Sequence, residues 1–315
     1  MTYSFDPELM DVIKQMAAAG AATPIAGRDD WRALRATSEA GLQYMESQLP
    51  AHATVQRRDF LAKSADGTAV PVRLYTNDGS SPGSAFVYLH GGGMILGSIE
   101  LYDRVVAGYV EASGVPLLSV DYRLAPEAPH PGPVEDAYAG LTWLVDNAAE
   151  FDIDPARVGL MGDSGGGGLA AGAALLARER GITVAKQILI YPMLDDRNTT
   201  PDPTLAPFAG WSYDNNYTGW HALLGELVGG EDVPSVAAPA RAGNLSGLPS
   251  TYVEVGELDI FRDQSIEYAR RIALTGTSIE LHVHPGVPHG FERVIPHSRV
   301  GTRSQDDRIR AIQSI

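Results

Sequence analysis

Val158-Gly-Leu-Met-Gly-Asp-Ser-Gly-Gly-Gly-Gly168 reads as an apolar strand, a tight turn with Ser164 at its bend, and a helix that continues through the small-residue stretch Leu169 to Glu179. Gly162 and Gly166 flank the serine, where a nucleophile elbow forces strained backbone angles and leaves no room for side chains. Such a turn lifts the hydroxyl out of the sheet, to a helix N-terminus whose unpaired amides can stabilise an oxyanion. Each of Gly165 to Gly168 costs a helix about 1 kcal/mol relative to alanine. A sequence that tolerates this needs close backbone approach, and the stretch points to a serine hydrolase. The alternative is an ordinary glycine-rich turn that happens to contain a serine.

Composition bounds the rest. A chain of 315 residues, 44% of them hydrophobic, is long enough for one large α/β domain with an insertion, or for two domains. The formal charge of -15 opposes nucleic acid and anionic membrane surfaces as partners and leaves a neutral or cationic small molecule as the expected substrate. The absence of cysteine excludes disulfides, thiol nucleophiles and thiolate-bound zinc together. Met1 to Gly20 carry acidic residues and no long apolar core, so the expectation is neither signal peptide nor transmembrane helix, and a soluble cytoplasmic protein.

Apolar residues recur at helical spacing over Phe5 to Ala19 and Trp31 to Gln48, on either side of a Gly- and Pro-containing loop around Thr23 to Gly27. Thr54 to Tyr75 alternates, with a Gly67 turn, as an antiparallel hairpin does. Ala85 to Leu89, Val115 to Val120, Val158 to Met161, Gln187 to Tyr191 and Thr251 to Val255 are short apolar runs between helical segments. That alternation predicts an α/β fold with a mostly parallel central sheet flanked by helices. Asp195 to Ala238 departs from it, rich in Asn, Pro, Asp and aromatic residues, and is too long for a routine connection. It is expected to form a cap. The predicted organisation is therefore N-terminal cap helices over 1–53, catalytic core over 54–194, a cap insertion over 195–238, and the remaining core over 239–315.

A serine becomes a nucleophile only with a base, a group to orient the base, and donors for the developing oxyanion. In open α/β sheets, such residues gather beyond the C-terminal ends of strands. His289 meets that condition in Leu281-His-Val-His-Pro-Gly-Val-Pro-His-Gly-Phe291, after a strand-like run and a Pro-Gly turn. His282 and His284 form a His-x-His pair, a spacing found in metal sites, but without a nearby third ligand they read as a solvated or packed strand face. His52, His130, His221 and His297 have no distinguishing placement. The chain order serine, acid, histidine points to Asp259 in Gly256-Glu-Leu-Asp259, with Glu257 as runner-up and Asp195 and Asp196 as earlier alternatives. Asp163, directly before the serine, is assigned an electrostatic or structural role. After the strand Ala85 to Leu89, the run His90-Gly-Gly-Gly93 lets backbone approach a reacting carbonyl. The amides of Gly92, Gly93 and Gly165 are the expected oxyanion donors.

His90-Gly-Gly-Gly93, Asp121-Tyr-Arg-Leu-Ala-Pro-Glu127, Gly162-Asp-Ser-Gly-Gly166 and His289-Gly-Phe291 resemble, in order, the signatures of the hormone-sensitive-lipase-like branch of α/β-hydrolase carboxylesterases. The resemblance runs from about Thr54 to the C-terminus, and the preceding helices resemble the N-terminal part of that family's cap. It implies an α/β-hydrolase fold with a helical cap, Ser164 as nucleophile, Asp259 as acid and His289 as base. It also implies Gly92, Gly93 and Gly165 as oxyanion donors, with His90 and the Asp121-Tyr122-Arg123 region supporting the site. Three positions depart from the pattern. Gly165 replaces the usual alanine, which is expected to loosen the elbow. Met94 replaces a bulkier or aromatic residue, making an adaptable pocket. Glu257-Leu-Asp-Ile-Phe-Arg-Asp263 replaces the usual Asp-Pro-Leu-Arg-Asp-Glu.

The resulting expectation is a serine carboxylesterase acting through an acyl-enzyme on short- to medium-chain esters, with no metal or cofactor. Met94, Phe208, Trp211, Tyr213 and Tyr217 are the expected substrate contacts. An acyltransferase on the same scaffold and a non-catalytic ligand receptor of the same fold are the alternatives. A homodimer through an edge strand is implied by the resemblance alone.

Overall fold

The short apolar runs form one eight-stranded sheet in the computed structural model, which describes residues 3–18, 26–77 and 83–315. Most of the loop expected around Thr23 to Gly27, and Ala19 at the expected end of the first helix, lie outside the described residues. Two helices, α1 (Pro7–Ala18) and α2 (Trp31–Gln48), precede the sheet. The Asp30 side chain caps α2 by accepting the Ala33 amide at 3.0 Å. The hairpin β1 (Val55–Lys63) and β2 (Ala69–Asn77) turns at Gly67, whose φ of +89° suits glycine.

Strand and helix then alternate: β3 (Ala85–Leu89), α3 (Asp103–Ser113), β4 (Leu117–Val120), α4 (Gly132–Asp146), β5 (Val158–Asp163), α5 (Gly165–Arg180) and β6 (Lys186–Ile190). A long excursion containing α6 (Tyr213–Leu224) leads to β7 (Ser250–Gly256), α7 (Arg262–Ala273), β8 (Ile279–His284), the single turn α8 (Phe291–Val294) and α9 (Arg299–Ile312). Two of the expected strands are shortened at one end. Val115 and Pro116 precede β4, since Pro116 has no amide to donate, and its carbonyl instead accepts the Phe86 amide at 3.1 Å. Tyr191 falls outside β6 because its backbone turns to φ +36°.

The strand order is β1-β2-β4-β3-β5-β6-β7-β8, antiparallel from β1 to β4 and parallel from β4 to β8. Strands β3 and β5 are buried along their whole length, which explains continuous apolar runs where β1 alternates. Helix α5 is buried from Gly165 through Ala177, so its small residues serve packing on every side. After β3 the chain moves to β4 on one side and then crosses back to β5 on the other. That reversal places a switch point at the C-terminal ends of β3 and β5, the position where open α/β sheets hold their sites. Among the described residues, no helix is long and apolar enough to cross a membrane.

Candidate active site

Ser164 joins β5 to α5 with φ 56° and ψ −121°, a backbone conformation strongly disfavoured for a residue with a side chain. Its surroundings hold it there. The Ser164 amide donates to the Ile190 carbonyl at 2.9 Å, and its own carbonyl accepts the amides of Gly168 and Met193 at 3.0 and 2.9 Å. The glycine expected to permit close approach does so: a Cβ on Gly166 would stand 2.0 Å from the Leu89 carbonyl oxygen at the end of β3.

His289 Nε2 lies 2.9 Å from Ser164 Oγ, and His289 Nδ1 lies 2.7 Å from Asp259 Oδ2. A carboxylate only accepts, so Nδ1 carries the proton and Nε2 is left to accept from the serine. Asp259 has no exposed surface, and its second oxygen accepts the Phe261 amide at 2.9 Å. The structure thus brings Ser164, His289 and Asp259 together from the ends of β5, β8 and β7. The imidazole also packs edge-on with Tyr191 and Phe261, at ring separations of 4.6 and 5.1 Å.

The other acids considered from sequence face elsewhere. Glu257 accepts the Gly286 amide at 2.9 Å, closing the turn before His289. Asp195 holds Arg197, and Asp196 holds Arg241 and the Gly229 amide. Asp163 accepts the Tyr88 hydroxyl at 2.6 Å and faces Arg293 at 3.5 Å.

Gly92 and Gly93 take φ of +121° and +57° in the turn after β3. A Cβ on Gly165 would sit 2.9 Å from the Gly93 nitrogen and 2.8 Å from that of Met94, so the two glycine segments lie against each other. Glycine at 165 therefore does not loosen the elbow as expected; it draws the loop closer than a methyl group permits. His90 stacks on Tyr122 at 4.2 Å, and the Tyr122 hydroxyl donates to the His90 carbonyl at 2.7 Å. Burial holds the His90 imidazole below its ordinary pKa, so it stays neutral beneath the loop. Asp121 accepts the Ile99 amide, and Arg123 pairs with Asp136 of α4.

The expected substrate contacts separate into two groups. Trp211 is 9% exposed, and its Cζ2 would be 2.7 Å from a Cβ on Gly93; Met94 is fully buried, with its terminal methyl over Gly168. Tyr213 is buried at the start of α6. Phe208 instead packs edge-on with Phe5 at 5.0 Å, and Tyr217 lies between Arg28 and the His221 ring. The excursion is fastened to the N-terminal segment by the Asp29 amide on Thr218 at 2.9 Å and by Arg28 on Asp214 at 2.7 Å.

The His-x-His pair divides. His284 is buried against Glu254 at 3.4 Å, whereas His282 meets Glu280 at 2.6 Å and Asp307 at 3.8 Å. Glu280, His282 and Asp307 are near enough to hold a cation, and Arg310 already places its guanidinium on both carboxylates. Sequence spacing could not indicate Asp307, which arrives from α9. Also missed were Tyr191 and Phe261 beside His289, and the buried ions Glu254, Glu292 and Arg308. Their one sequence signal was a glutamate inside the apolar run of β7.

Comparison with known proteins agrees with this architecture. The family model described as alpha/beta hydrolase fold matches residues 86–293. The carboxylesterase NlhH of Mycobacterium tuberculosis is 34% identical over 246 residues, covering 75% of this chain and 76% of that protein. An ethyl acetate hydrolase of Pseudomonas putida is 32% identical over 241 residues, covering 75% and 76%. Among solved structures, a bacterial heroin esterase superposes with a TM-score of 0.89 at 38% identity, over 98% of this chain and 97% of that one. On the family match, these identities and the shared architecture, the chain belongs to the hormone-sensitive-lipase-like family of α/β-hydrolases.

Proposed function

We propose that this carboxylic ester hydrolase works through Ser164, His289 and Asp259 and releases its acid product from an acyl-enzyme. The observation that carries the reading is the unbroken relay from Asp259 Oδ2 to His289 Nδ1, at 2.7 Å, and from His289 Nε2 to Ser164 Oγ, at 2.9 Å. His289 takes the serine proton as Oγ attacks the ester carbonyl, then returns it to the departing alcohol. Water, deprotonated by the same imidazole, cleaves the acyl-enzyme, and Asp259 stabilises the imidazolium in both steps. The amides of Gly92, Gly93 and Gly165 receive the oxyanion, each donor contributing about 3 kcal/mol to the transition state.

The substrates are short- to medium-chain esters, admitted beneath a cap built from the N-terminal helices and the 195–238 excursion. Support comes from Ser164 being only 5% exposed and from the Trp211 ring against Gly93, which narrows the space beside the serine. The relatives' names, an ethyl acetate hydrolase and a heroin esterase, point the same way. A chain-length series of p-nitrophenyl esters tests this: kcat/KM peaks at acetate to hexanoate and falls beyond, and best turnover of long-chain esters overturns it. Competing alcohols in the same assay leave hydrolysis dominant; transfer to the alcohol as the main product would instead make the chain an acyltransferase.

A further inference from the structure

Glu292 follows His289 by three residues and is 5% exposed. Its Oε1 accepts the Tyr191 hydroxyl at 2.5 Å and Arg308 Nη1 at 3.2 Å. Arg308, 2% exposed on α9, also donates through Nε to Glu254 Oε1 at 2.7 Å and through Nη1 to the Tyr109 hydroxyl at 2.9 Å. Burial alone would raise the Glu292 carboxyl, but the Arg308 and Arg293 guanidiniums outweigh it and the carboxyl is held below its usual range. Burial, together with the Glu292 charge, pushes the Tyr191 phenol well up, so its hydroxyl stays protonated and donates.

Tyr191 links this network to the imidazole. Its ring stands against His289 at 4.6 Å and 61°, and its backbone is held at φ +36°, where aromatic residues are rarely found. The Tyr191 amide secures that conformation by donating to the Glu254 carbonyl at 2.7 Å, while the preceding Ile190 carbonyl takes the Ser164 amide. One tyrosine therefore borders the elbow through its backbone, the imidazole through its ring and a buried ion network through its hydroxyl. The Asp259 hydrogen bond fixes one point of the imidazole. The Phe261 and Tyr191 rings flank it and fix its tilt while Nε2 moves a proton between Ser164 and the leaving alcohol, where small misplacements are costly. Of the two, only Tyr191 is itself anchored, through its hydroxyl, to the buried ions.

We propose that Tyr191 and Glu292, locked by Arg308, are positioning residues that hold the His289 imidazole in line with Ser164 Oγ. This rests on the assignment of Ser164, His289 and Asp259 made above. The test uses the full chain with p-nitrophenyl butyrate, measuring kcat, KM and melting temperature for Tyr191→Phe, Glu292→Gln and Ser164→Ala. Tyr191→Phe lowers kcat about tenfold with KM changed less than about twofold. Glu292→Gln still accepts the Tyr191 hydroxyl, so it keeps more kcat than Tyr191→Phe although it melts at a lower temperature. A kcat for Tyr191→Phe within about twofold of the parent overturns the proposal, as does activity that follows melting temperature across the variants. If Glu292→Gln does not fold, Tyr191→Phe alone decides. Ser164→Ala separates the two levels: retained turnover there removes the triad itself, whereas an inactive Ser164→Ala beside a fully active Tyr191→Phe removes only the positioning role.

Discussion

Arg35 and Glu127 form a two-bond ion pair, Nη1 to Oε1 and Nη2 to Oε2, both 2.8 Å, and the same guanidinium donates to the carbonyls of Ile95 and Ala125. A helix that precedes the sheet is thereby tied to the segment following Gly92, Gly93 and Met94. The two ends of the pair differ in weight. The Glu127 side chain is 55% exposed, so its attraction is screened, while the two carbonyls depend on Arg35.

Arg35→Ala is expected to cost about 2 kcal/mol, and Glu127→Gln about 0.5 kcal/mol or less. Urea denaturation of both variants measures the difference. Equal costs would mean that the ion pair, and not the carbonyl bonds, holds the loop.

A side chain at Gly166 and one at Gly165 are costly for different reasons. Alanine at 166 meets the Leu89 and His90 carbonyl oxygens at 2.0 and 2.4 Å, both backbone of fully buried residues at the C-terminal end of β3, and neither can retreat. Gly166→Ala is expected to cost more than about 4 kcal/mol and to leave little folded protein. Alanine at 165 pushes only on the loop, at the Gly93 and Met94 nitrogens. Gly165→Ala should fold and lose about tenfold in kcat with little change in KM, because displaced amides matter most when the oxyanion forms. Steady-state kinetics with circular dichroism tells the two apart.

The Trp211 ring stands against Gly93, and the proposed acyl site lies beside it. Trp211→Ala is expected to shift the kcat/KM ratio of octanoate to acetate esters upward by about tenfold, the gain from about two further methylenes accommodated at roughly 0.8 kcal/mol each. An unchanged ratio would place the acyl chain elsewhere.

Acid stability depends on the buried ions behind Tyr191. Burial raises the Glu254 carboxyl, but Arg308 and then His284 outweigh it, holding the group at about 2 against its ordinary 4.5. A folded-state value below the unfolded one means that the contribution is complete above pH 4.5 and is lost as pH falls toward 2. Glu254→Gln is therefore expected to flatten the dependence of unfolding free energy on pH across that window. Parallel curves for the parent and the variant from pH 5 to 2.5 would contradict this.

The elbow, the glycine loop and His289 were legible because each carries a local signature: glycines at fixed offsets, or a histidine in a loop just after an apolar run. The bounds of α2 followed from its apolar spacing, and the parallel sheet from the apolar runs of β3 and β5. What stayed hidden has no local signature. Tyr191 leaves β6 through a backbone angle that its neighbours impose, and Arg308 meets Glu254 and Glu292 only after α9 closes onto the sheet. Gly165 was misjudged for the same reason, since its partner across the gap is 72 residues earlier at Gly93.

The most direct measurement is peptide mapping by mass spectrometry after inactivation with diethyl p-nitrophenyl phosphate. The account predicts one diethylphosphoryl group, located on Ser164, appearing in step with loss of esterase activity and absent from Ser164→Ala. Modification of another residue in step with that loss, or turnover surviving complete modification of Ser164, would contradict it.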